Sequence, residues 1–195
     1  LQLAAREVGG RQIQNRGTIG GNLVNASPAA DGVPPLLALD AEVELQSVRG
    51  TRRLPVGAFV TGPRTTLLAP DELLTAVILP VTQRRARATF LKLGARRYLV
   101  ISIVMVAAVV ETERGRVAAA RIAVGAASPV ARRLQRLEAE LVGRPLDARL
   151  GDTVDAGHLT VLAPIDDVRA SADYRRHAAL TLVRRALAEI GNAAP

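Results

Sequence analysis

The sequence predicts an α+β protein built from two units, and three kinds of observation support this. The chain has 195 residues, of which 49% are hydrophobic and 23% charged, enough for a buried core and inconsistent with global disorder. Polar and apolar residues alternate over residues 42–48 and again over 117–127, which indicates half-buried strands. Apolar residues recur at helical spacing over residues 174–190. A polar, charged stretch at residues 82–88 separates the two units.

The first unit is predicted to open with a helix and to continue through turns. Residues 1–8 form this helix, and the Gly-Gly pair that follows ends it. Residues 11–45 are dense in Gly, Asn, Ser and Pro, which favours turns and close-approach loops over long regular elements. A Pro-Pro pair within them can begin a short helix through residues 36–39, since proline is tolerated in a first turn. Strands follow at residues 42–48, 52–56 and 73–79.

The second unit is predicted to contain a hairpin and two helices. Its strands are expected at residues 89–93, 101–111 and 117–127, and its helices at 131–142 and 174–190. The last two strands pair around a turn at residues 112–116. Gly143 and Gly191 are predicted to end the two helices.

Composition excludes several kinds of functional site. The chain has no cysteine, which excludes disulfides, thiolate zinc sites, a cysteine nucleophile and any iron–sulfur cluster held by this chain. It has only two histidines, His158 and His177, which excludes a His-rich metal site, and both are predicted at the surface. No metal site and no catalytic residue are therefore assigned.

Charge and hydropathy argue against nucleic-acid and membrane partners. The net charge is +8, yet Lys92 is the only lysine and the arginines are scattered, with only 2% aromatic residues. A nucleic-acid binder usually concentrates its basic residues on one face, so this role is disfavoured. The longest apolar stretch, residues 98–110, is too short to cross a membrane as a helix. The given sequence shows no charged-then-apolar leader at its start, but it begins with Leu1 as if within a helix, which leaves a leader further upstream open; we expect a cytoplasmic protein.

The segment most informative about chemistry is RGTIGGN at residues 16–22, followed by NASP at 25–28 and Asp31. Paired glycines lack side-chain bulk and allow positive φ, so successive backbone N–H groups can converge on a phosphate or on the polar edge of a ring. A tight surface turn with capping Ser and Asn is the alternative. The order of glycines is not a Rossmann fingerprint.

The longer string NRGTIGGNLVNASPAAD resembles the second flavin-binding segment of the FAD subunit of molybdenum hydroxylases, the family of xanthine dehydrogenase and of the medium subunit of aerobic carbon monoxide dehydrogenase. The resemblance continues in order through ALDAEVELQS, GTRRLPVGAF, TGPRTTLLAPDELLTAVILP, FLKLGARR, ARIAVGAAS and DVRASADYRRHAALTLVRRAL. It implies that residues 1–81 are the second half of a vanillyl-alcohol-oxidase-like (PCMH-type) FAD-binding domain. Residues 86–191 would then form a small C-terminal domain, an antiparallel three-stranded sheet with helices.

The same resemblance implies which residues contact FAD. They are Thr18, Ile19, Gly20, Gly21 and Asn22 in a turn along the cofactor, Asp31 as a hydroxyl-binding acid, Leu74 near the cofactor, and Lys92 with its charge reaching the flavin or its ribityl chain. A fixed cation near the ring would favour the anionic reduced flavin. From the residues alone, Leu74 is equally a core residue and Lys92 a solvated strand residue.

Two departures from the family accompany the resemblance. The family's earlier Gly-rich segment, which grips the FAD pyrophosphate, precedes the region matched here. The family usually has an acid shortly after the Arg-Arg pair, where this chain has Tyr98, Leu99 and Val100. An apolar residue there removes the polar contact that an acid would make near the flavin.

Other charged residues are interpreted as structural. Asp166, Asp167 and Asp173 are expected to cap a helix and to be solvated rather than to act as an acid–base pair. The arginines of the closing motif are expected to form interdomain or intersubunit salt bridges. These are Arg169, Arg175 and Arg176.

The resemblance implies an FAD-binding electron-transfer subunit. It would accept electrons from the [2Fe–2S] clusters of an iron–sulfur small subunit and pass them to NAD, dioxygen or a quinone. A molybdopterin-binding large subunit would oxidise the substrate, and the three chains would form a hetero-oligomer. The absence of cysteine agrees with clusters held by partners. The alternative is a truncated, flavin-free interaction module of the same assembly.

Overall fold

The computed structural model describes residues 1–81 and 84–192. Four short helices open the chain: α1 (Gln2–Arg6), α2 (Arg11–Arg16), α3 (Ile19–Val24) and α4 (Val33–Ala38). Frequent Gly and Pro keep them short, and α4 carries prolines in its first turn, where a missing N–H costs nothing. The predicted opening helix and the Pro-Pro helix are both confirmed within a residue or two.

A small antiparallel sheet follows these helices. Its strand order is β2 (Gly50–Pro55), β1 (Glu42–Ser47) and β5 (Leu73–Ile78). The alternation predicted for β1 is confirmed, because Val43 and Leu45 are fully buried whereas Glu42 and Glu44, which precede them, are not. The connection from β2 to β5 contains α5 (Val56–Phe59), β3 (Val60–Gly62) and β4 (Thr65–Thr66).

The second unit is built on a larger antiparallel sheet. Its strand order is β6 (Arg85–Leu93), β7 (Val104–Glu113), β8 (Arg116–Gly125) and β9 (Arg132–Arg133). The predicted hairpin is β7–β8. Helix α6 (Gln135–Leu141), two 3-10 helices (Ala148–Thr153 and Ala156–Leu159) and helix α7 (Ala172–Asn192) complete the described chain.

Strand β7 is buried on both faces, which explains its unbroken apolar sequence. One face, including Val106 and Val110, packs in the core that contains Leu187 of α7. The other face, including Met105 and Ala107, packs in a cluster with Ala4 of α1 and Ala38 of α4. The two units therefore share the sheet, with the first unit covering the face that α7 leaves free.

Several predicted details of the second unit are wrong. The sheet has four strands, not three, because residues 132–133 pair with β8 instead of starting a helix. Strand β6 begins at Arg85, inside the stretch predicted as a boundary, while residues 82–83 lie outside the described residues. Helix α7 also runs through Gly191 to Asn192. A Cβ on Gly191 would collide with the backbone carbonyl of Asp147, so the glycine permits close packing and is not a stop signal.

His158 is buried, which corrects its predicted surface position. Its side chain lies between Glu140 and Asp155, with Nε2 3.0 Å from Glu140 Oε2 and Nδ1 accepting the N–H of Asp155 at 3.1 Å. The hydrogen bond from the Asp155 N–H and the reciprocal one from the His158 N–H to Asp155 Oδ1 form a capping box at the second 3-10 helix. His177 is exposed, as predicted.

Candidate functional site

A cleft of about 760 Å³ lies between the first three helices. Its volume falls within the range of about 300–1,000 Å³ that is typical of small-molecule sites. Apolar side chains from α1 and α2 form much of one wall, and the first turn of α3 forms the other. Four of the predicted FAD-contacting residues line this cleft: Thr18, Ile19, Gly21 and Asn22.

The TIGGN segment is the start of a helix, not an irregular turn. Thr18 is the N-cap of α3, and its Oγ1 accepts the N–H of Gly21 at 3.0 Å. The N–H groups of Ile19 and Gly20 belong to the first helical turn, where the helix itself offers no acceptor. Neither Gly20 nor Gly21 has a positive φ, so the expectation of left-handed backbone is wrong here.

The glycines matter because they leave space. A Cβ at Gly21 would lie 3.0 Å from the capping Thr18 Oγ1, and one at Gly20 would lie 3.4 Å from Leu74 Cδ2. Leu74 is half-buried in β5 directly behind α3. Leu74 therefore lies against Gly20, whose neighbours Ile19 and Gly21 line the cleft.

Asn22 ties α3 to the loop that carries Asp31. Its Oδ1 accepts the N–H of Gly32 at 3.1 Å. A Cβ at Gly32 would lie only 2.6 Å from that oxygen, so a larger residue here would displace the Asn22 amide from its hydrogen bond. Asn22 thus has a structural contact in addition to its place in the cleft wall.

Asp31 and Lys92 form a buried ion pair behind the cleft. Lys92 Nζ donates to Asp31 Oδ2 at 2.6 Å, and the two side chains are 6% and 9% exposed. Ser102 Oγ donates to the other carboxylate oxygen at 2.8 Å, and Lys92 Nζ also donates to the carbonyl of Glu7 at 3.2 Å. Lys92 is therefore not a solvated strand residue, and Asp31 balances its charge.

The loop after Lys92 occupies the position where the family usually has an acid. Arg96 donates to the carbonyl of Leu99, and Leu99 has a φ of +53°, unusual for a non-glycine residue. A Cβ on Gly10 would lie 3.1 Å from Leu99 Cδ2, so this apolar side chain packs on the segment joining α1 and α2. Leu99 thus makes an apolar contact at the position where the resemblance implies an acid.

The remaining charged candidates have local structural roles. Asp166 accepts the N–H of Ala172 at the start of α7. Burial raises the pKa of Asp167, but hydrogen bonds from the Arg169 N–H and from Arg175 outweigh it and lower this pKa to about 2.

The carboxylate partners of the three arginines of the closing motif all lie in the second unit. Arg169 and Arg175 both pair with Asp167, and Arg176 pairs with Asp173. The predicted interdomain salt bridges are therefore not formed among the described residues. Arg175 is also buried, and it donates to the carbonyls of Ile103 and Ala126 within the same unit.

Sequence reasoning missed Ser102 and the carbonyl of Glu7. A serine next to the apolar run of β7 is the only signal in the sequence, and it does not identify Asp31 as the partner. Within residues 1–81 and 84–192 there is no grouping of three or more His, Cys, Asp or Glu that could hold a metal ion. Nor does the described part of the chain contain a helix long and apolar enough to span a membrane.

Comparison with known proteins gives consistent matches along the chain. The family described as "FAD binding domain in molybdopterin dehydrogenase" matches residues 1–82, and the family "CO dehydrogenase flavoprotein C-terminal domain" matches residues 89–190. The xanthine dehydrogenase FAD-binding subunit of Escherichia coli O157:H7 is 32% identical over 190 residues, which are 97% of this chain and 65% of that protein. The nicotine 6-hydroxylase medium subunit of Paenarthrobacter nicotinovorans is 35% identical over 191 residues, 98% of this chain and 66% of that one.

The fold has a solved counterpart. One chain of reconstituted CO dehydrogenase from Oligotropha carboxidovorans superposes with a TM-score of 0.91 at 27% identity, and the match covers 99% of this chain and 67% of that one. This chain thus spans about two thirds of the length of the relatives it matches, 65% in the case of the Escherichia coli subunit. Since the match over residues 89–190 alone covers more than half of the sequence, the chain belongs to the family of FAD-binding medium subunits of molybdenum hydroxylases, which includes those of xanthine dehydrogenase and carbon monoxide dehydrogenase.

Proposed function

We propose that this chain is the FAD-binding electron-transfer subunit of a molybdenum hydroxylase complex. The observation that carries this proposal is the cleft of about 760 Å³ whose wall is the Thr18-capped start of α3. That wall lies inside the region matched by the FAD-binding family. The oxidoreductase complex would use FAD here to exchange electrons between metal centres on partner chains and a final acceptor.

The residues of the cleft fit a flavin nucleotide. Ile19 offers the backbone N–H of the first helical turn, and the missing side chain of Gly21 opens the wall next to the Thr18 cap. Asn22 lines the same wall, and its Oδ1 accepts the N–H of Gly32, another lining residue. Apolar side chains opposite them, such as Val8 and Ile13, suit a ring system. FAD bound here would supply two-electron and one-electron redox chemistry.

Three further residues complete the proposed site. Leu74 packs behind Gly20 and supports the wall of α3. Asp31 and Lys92 form a buried pair next to Gly32, which lines the cleft. Because Asp31 balances the Lys92 charge, we expect the pair to contribute little net charge to a flavin nearby.

The partners follow from what this chain lacks. With no cysteine, the chain has no thiolate ligands for [2Fe–2S] clusters, which we assign to an iron–sulfur small subunit. We assign the molybdopterin centre to a large subunit, and NAD, dioxygen or a quinone to the role of acceptor. Residues 1–81 would be the second subdomain of a vanillyl-alcohol-oxidase-like FAD domain, and residues 86–191 its C-terminal domain.

Titration with FAD tests the proposal directly. Purified chain added to FAD is expected to change flavin fluorescence saturably. Thr18→Val, which keeps the side-chain shape but removes the capping oxygen, should weaken this binding. Thr51→Val, at an exposed position of β2 away from the cleft, is the matched control and should bind as the parent does.

Two outcomes separate the candidate functions. Saturable binding that Thr18→Val weakens supports the flavoprotein. No binding by the parent chain, together with co-purification of partner subunits without flavin, would instead support the flavin-free interaction module.

A further inference from the structure

The apolar contact between the two units consists mainly of small side chains. Among the described residues, the cluster that joins the units has eight buried members, and five of these are alanine: Ala4, Ala38, Ala107, Ala123 and Ala126. Apolar attraction is non-directional, and alanines have no long side chains that could interdigitate across the contact. This cluster attracts the units to each other, but it does little to hold them in one arrangement.

Two arginines of the second unit reach across this contact to the end of α4. Arg121 of β8 donates from Nε to the carbonyl of Ala38 at 2.9 Å, and Arg133 of β9 donates from Nη1 to the carbonyl of Leu37, also at 2.9 Å. The last carbonyls of a helix lack partners within the helix, and basic side chains near its C-terminus can supply them. The second unit therefore caps a helix of the first.

Asp40 brings a carboxylate to the same place. It lies two residues after α4 with a φ of +51°, a left-handed conformation that favours glycine. Its Oδ1 accepts from Arg133 Nη1 at 2.7 Å, and its Oδ2 lies 3.4 Å from Arg121 Nε. A glycine would adopt this backbone without strain, but it would lose both contacts with the second unit.

Each arginine is also held by an acid of its own unit. Arg121 Nη2 donates to Glu111 Oε1 at 2.6 Å, and Arg133 donates from Nε and Nη2 to the two carboxylate oxygens of Glu138 at 2.5 and 2.8 Å. The second pair is bidentate, which fixes the plane of the guanidinium. Glu138 is fixed in turn, because its Oε1 accepts the N–H of Ile122 at 2.8 Å. The second unit thus presents both guanidinium groups to α4 in fixed orientations.

We propose that Asp40, Arg121 and Arg133 form a latch that keeps the first unit closed on the sheet of the second. The apolar cluster supplies the attraction, and the latch selects one arrangement, because each guanidinium joins a fixed acid of the second unit to the end of α4. When the latch is weakened, the contact between the units opens more often. The latch needs no cofactor, and this inference goes beyond the function proposed above.

Met105 reports this opening directly. It is the only methionine in the chain, it is fully buried, and it packs in the cluster between the units. A Cβ on Gly125 would lie 2.9 Å from Met105 Cε and 2.7 Å from Cγ of Pro34 in α4, so the methionine and α4 meet at this glycine. Hydrogen peroxide converts a thioether to a sulfoxide by transferring one oxygen atom, and water leaves. The reagent must reach the sulfur, so the oxidation rate measures how often the contact opens.

The decisive variant is Asp40→Asn, which removes the charge. Asparagine keeps the size of the side chain and tolerates a left-handed backbone, so backbone strain does not change. Under conditions where all variants are folded, loss of the ion pairs should accelerate Met105 oxidation by about fivefold. Higher ionic strength should accelerate oxidation in the parent, because Asp40 is exposed and its ion pairs are screened, and should have less effect in Asp40→Asn.

Asp71→Asn is the matched control. Asp71 pairs with Arg49 at 2.7 Å, and both residues are exposed and belong to the first unit. Removing this charge loses an ion pair of the same length without changing the contact between the units, so Met105 should oxidise within about twofold of the parent rate. Unchanged oxidation in Asp40→Asn, or an equal acceleration in Asp71→Asn, would overturn the latch.

A second background tests whether Asp40 acts through Arg133. The double variant Arg133→Met/Glu138→Gln removes a charge pair together, which is tolerated better than removing one partner, and leaves an oxygen that can accept the N–H of Ile122. In this background, Asp40→Asn should accelerate Met105 oxidation by less than about twofold, because its main partner is already gone. The same fivefold acceleration as in the parent background would show that Asp40 acts independently of Arg133, which would overturn the latch.

Discussion

The cleft region and the second unit are stabilised in different ways. Residues 1–32 contain three short helices joined by individual polar contacts, such as the Thr18 cap, the Asn22–Gly32 hydrogen bond and the Asp31–Lys92 pair. The second unit has long strands and a 21-residue helix around one continuous apolar cluster. We expect the second unit to be a rigid support, because many apolar side chains share its stabilisation. The geometry of the cleft depends instead on a few polar contacts, each of which a single substitution can remove.

The largest expected effect is on stability and comes from the apolar cluster. Leu187 of α7 is fully buried, and Leu187→Ala is expected to lower the free energy of unfolding by about 2–5 kcal/mol, through lost transfer energy and a cavity. Urea unfolding measures this. At urea concentrations below the unfolding transition, Leu187→Ala should bind FAD with the same affinity as the parent chain.

Val168→Ala is the control for the apolar cluster. Val168 is fully exposed, and its substitution should change the free energy of unfolding by less than about 0.5 kcal/mol. If Leu187→Ala weakened FAD binding as strongly as changes within the cleft region do, the proposed division between support and cleft would be wrong.

An intermediate effect is expected where two segments of the cleft region touch. In Gly32→Ala the new methyl would lie 2.6 Å from Asn22 Oδ1, so the hydrogen bond between these residues must break. We expect a loss of about 1.5 kcal/mol in the free energy of unfolding, because this half-buried hydrogen bond is lost and the new methyl displaces the Asn22 amide. FAD affinity should fall as well, because α3 is released from the Asp31 loop.

The matched control for Gly32 is Gly62→Ala, where the methyl meets Thr65 at an ordinary 3.7 Å. Gly62 also has no positive φ. Thermal unfolding and FAD titration of Gly32→Ala and Gly62→Ala measure the stability and the FAD affinity of each variant. Equal behaviour of the two would contradict the role given to the Asn22–Gly32 contact.

A smaller effect is expected at the helix cap. Thr18→Val removes the oxygen that accepts the Gly21 N–H, and losing an N-cap of this kind costs about 1 kcal/mol. Denaturant unfolding of Thr18→Val and of the exposed control Thr51→Val gives this difference. A fall in FAD affinity without a fall in stability would mean that the hydroxyl contacts the cofactor rather than the helix.

The smallest effect concerns pH and lies outside both regions, at the small sheet. Hydrogen bonds from Arg52 and from the N–H of Ala69 lower the pKa of Glu72 to about 2. A carboxyl whose pKa is lower in the folded than in the unfolded chain adds stability above its unfolded pKa of about 4, and this stability is lost as pH falls toward 2. Thermal unfolding between pH 5 and pH 2 should therefore be less pH-dependent in Glu72→Gln than in the parent.

The sequence predicts what depends on local chemistry. The β7–β8 hairpin follows from two apolar runs around a Gly-containing turn, and α4 follows from its leading prolines. Four residues of the TIGGN segment line the cleft, and its role in binding FAD stays a prediction. Its backbone is helical, because Thr18 caps it and the glycines supply space rather than positive φ.

Contacts between distant segments explain the remaining differences. The burial of His158 depends on Glu140, 18 residues away in the chain, and Ser102 bonds to Asp31 across 71 residues. The short strand β9 exists because Arg132 and Arg133 meet the edge of β8. The helical spacing over residues 131–142 therefore predicted a helix that begins too early, because α6 begins only at Gln135. Periodicity within one segment does not encode its pairing with a distant strand.

The central claim is that FAD binds in the cleft at the start of α3, and amide chemical-shift mapping by NMR during an FAD titration tests it most directly. The account predicts saturable shifts concentrated at residues 17–22, in α1 and at Gly32, with α6 and the C-terminal half of α7 unchanged. Shifts centred on α6 and α7, or no shifts at saturating FAD, would contradict it.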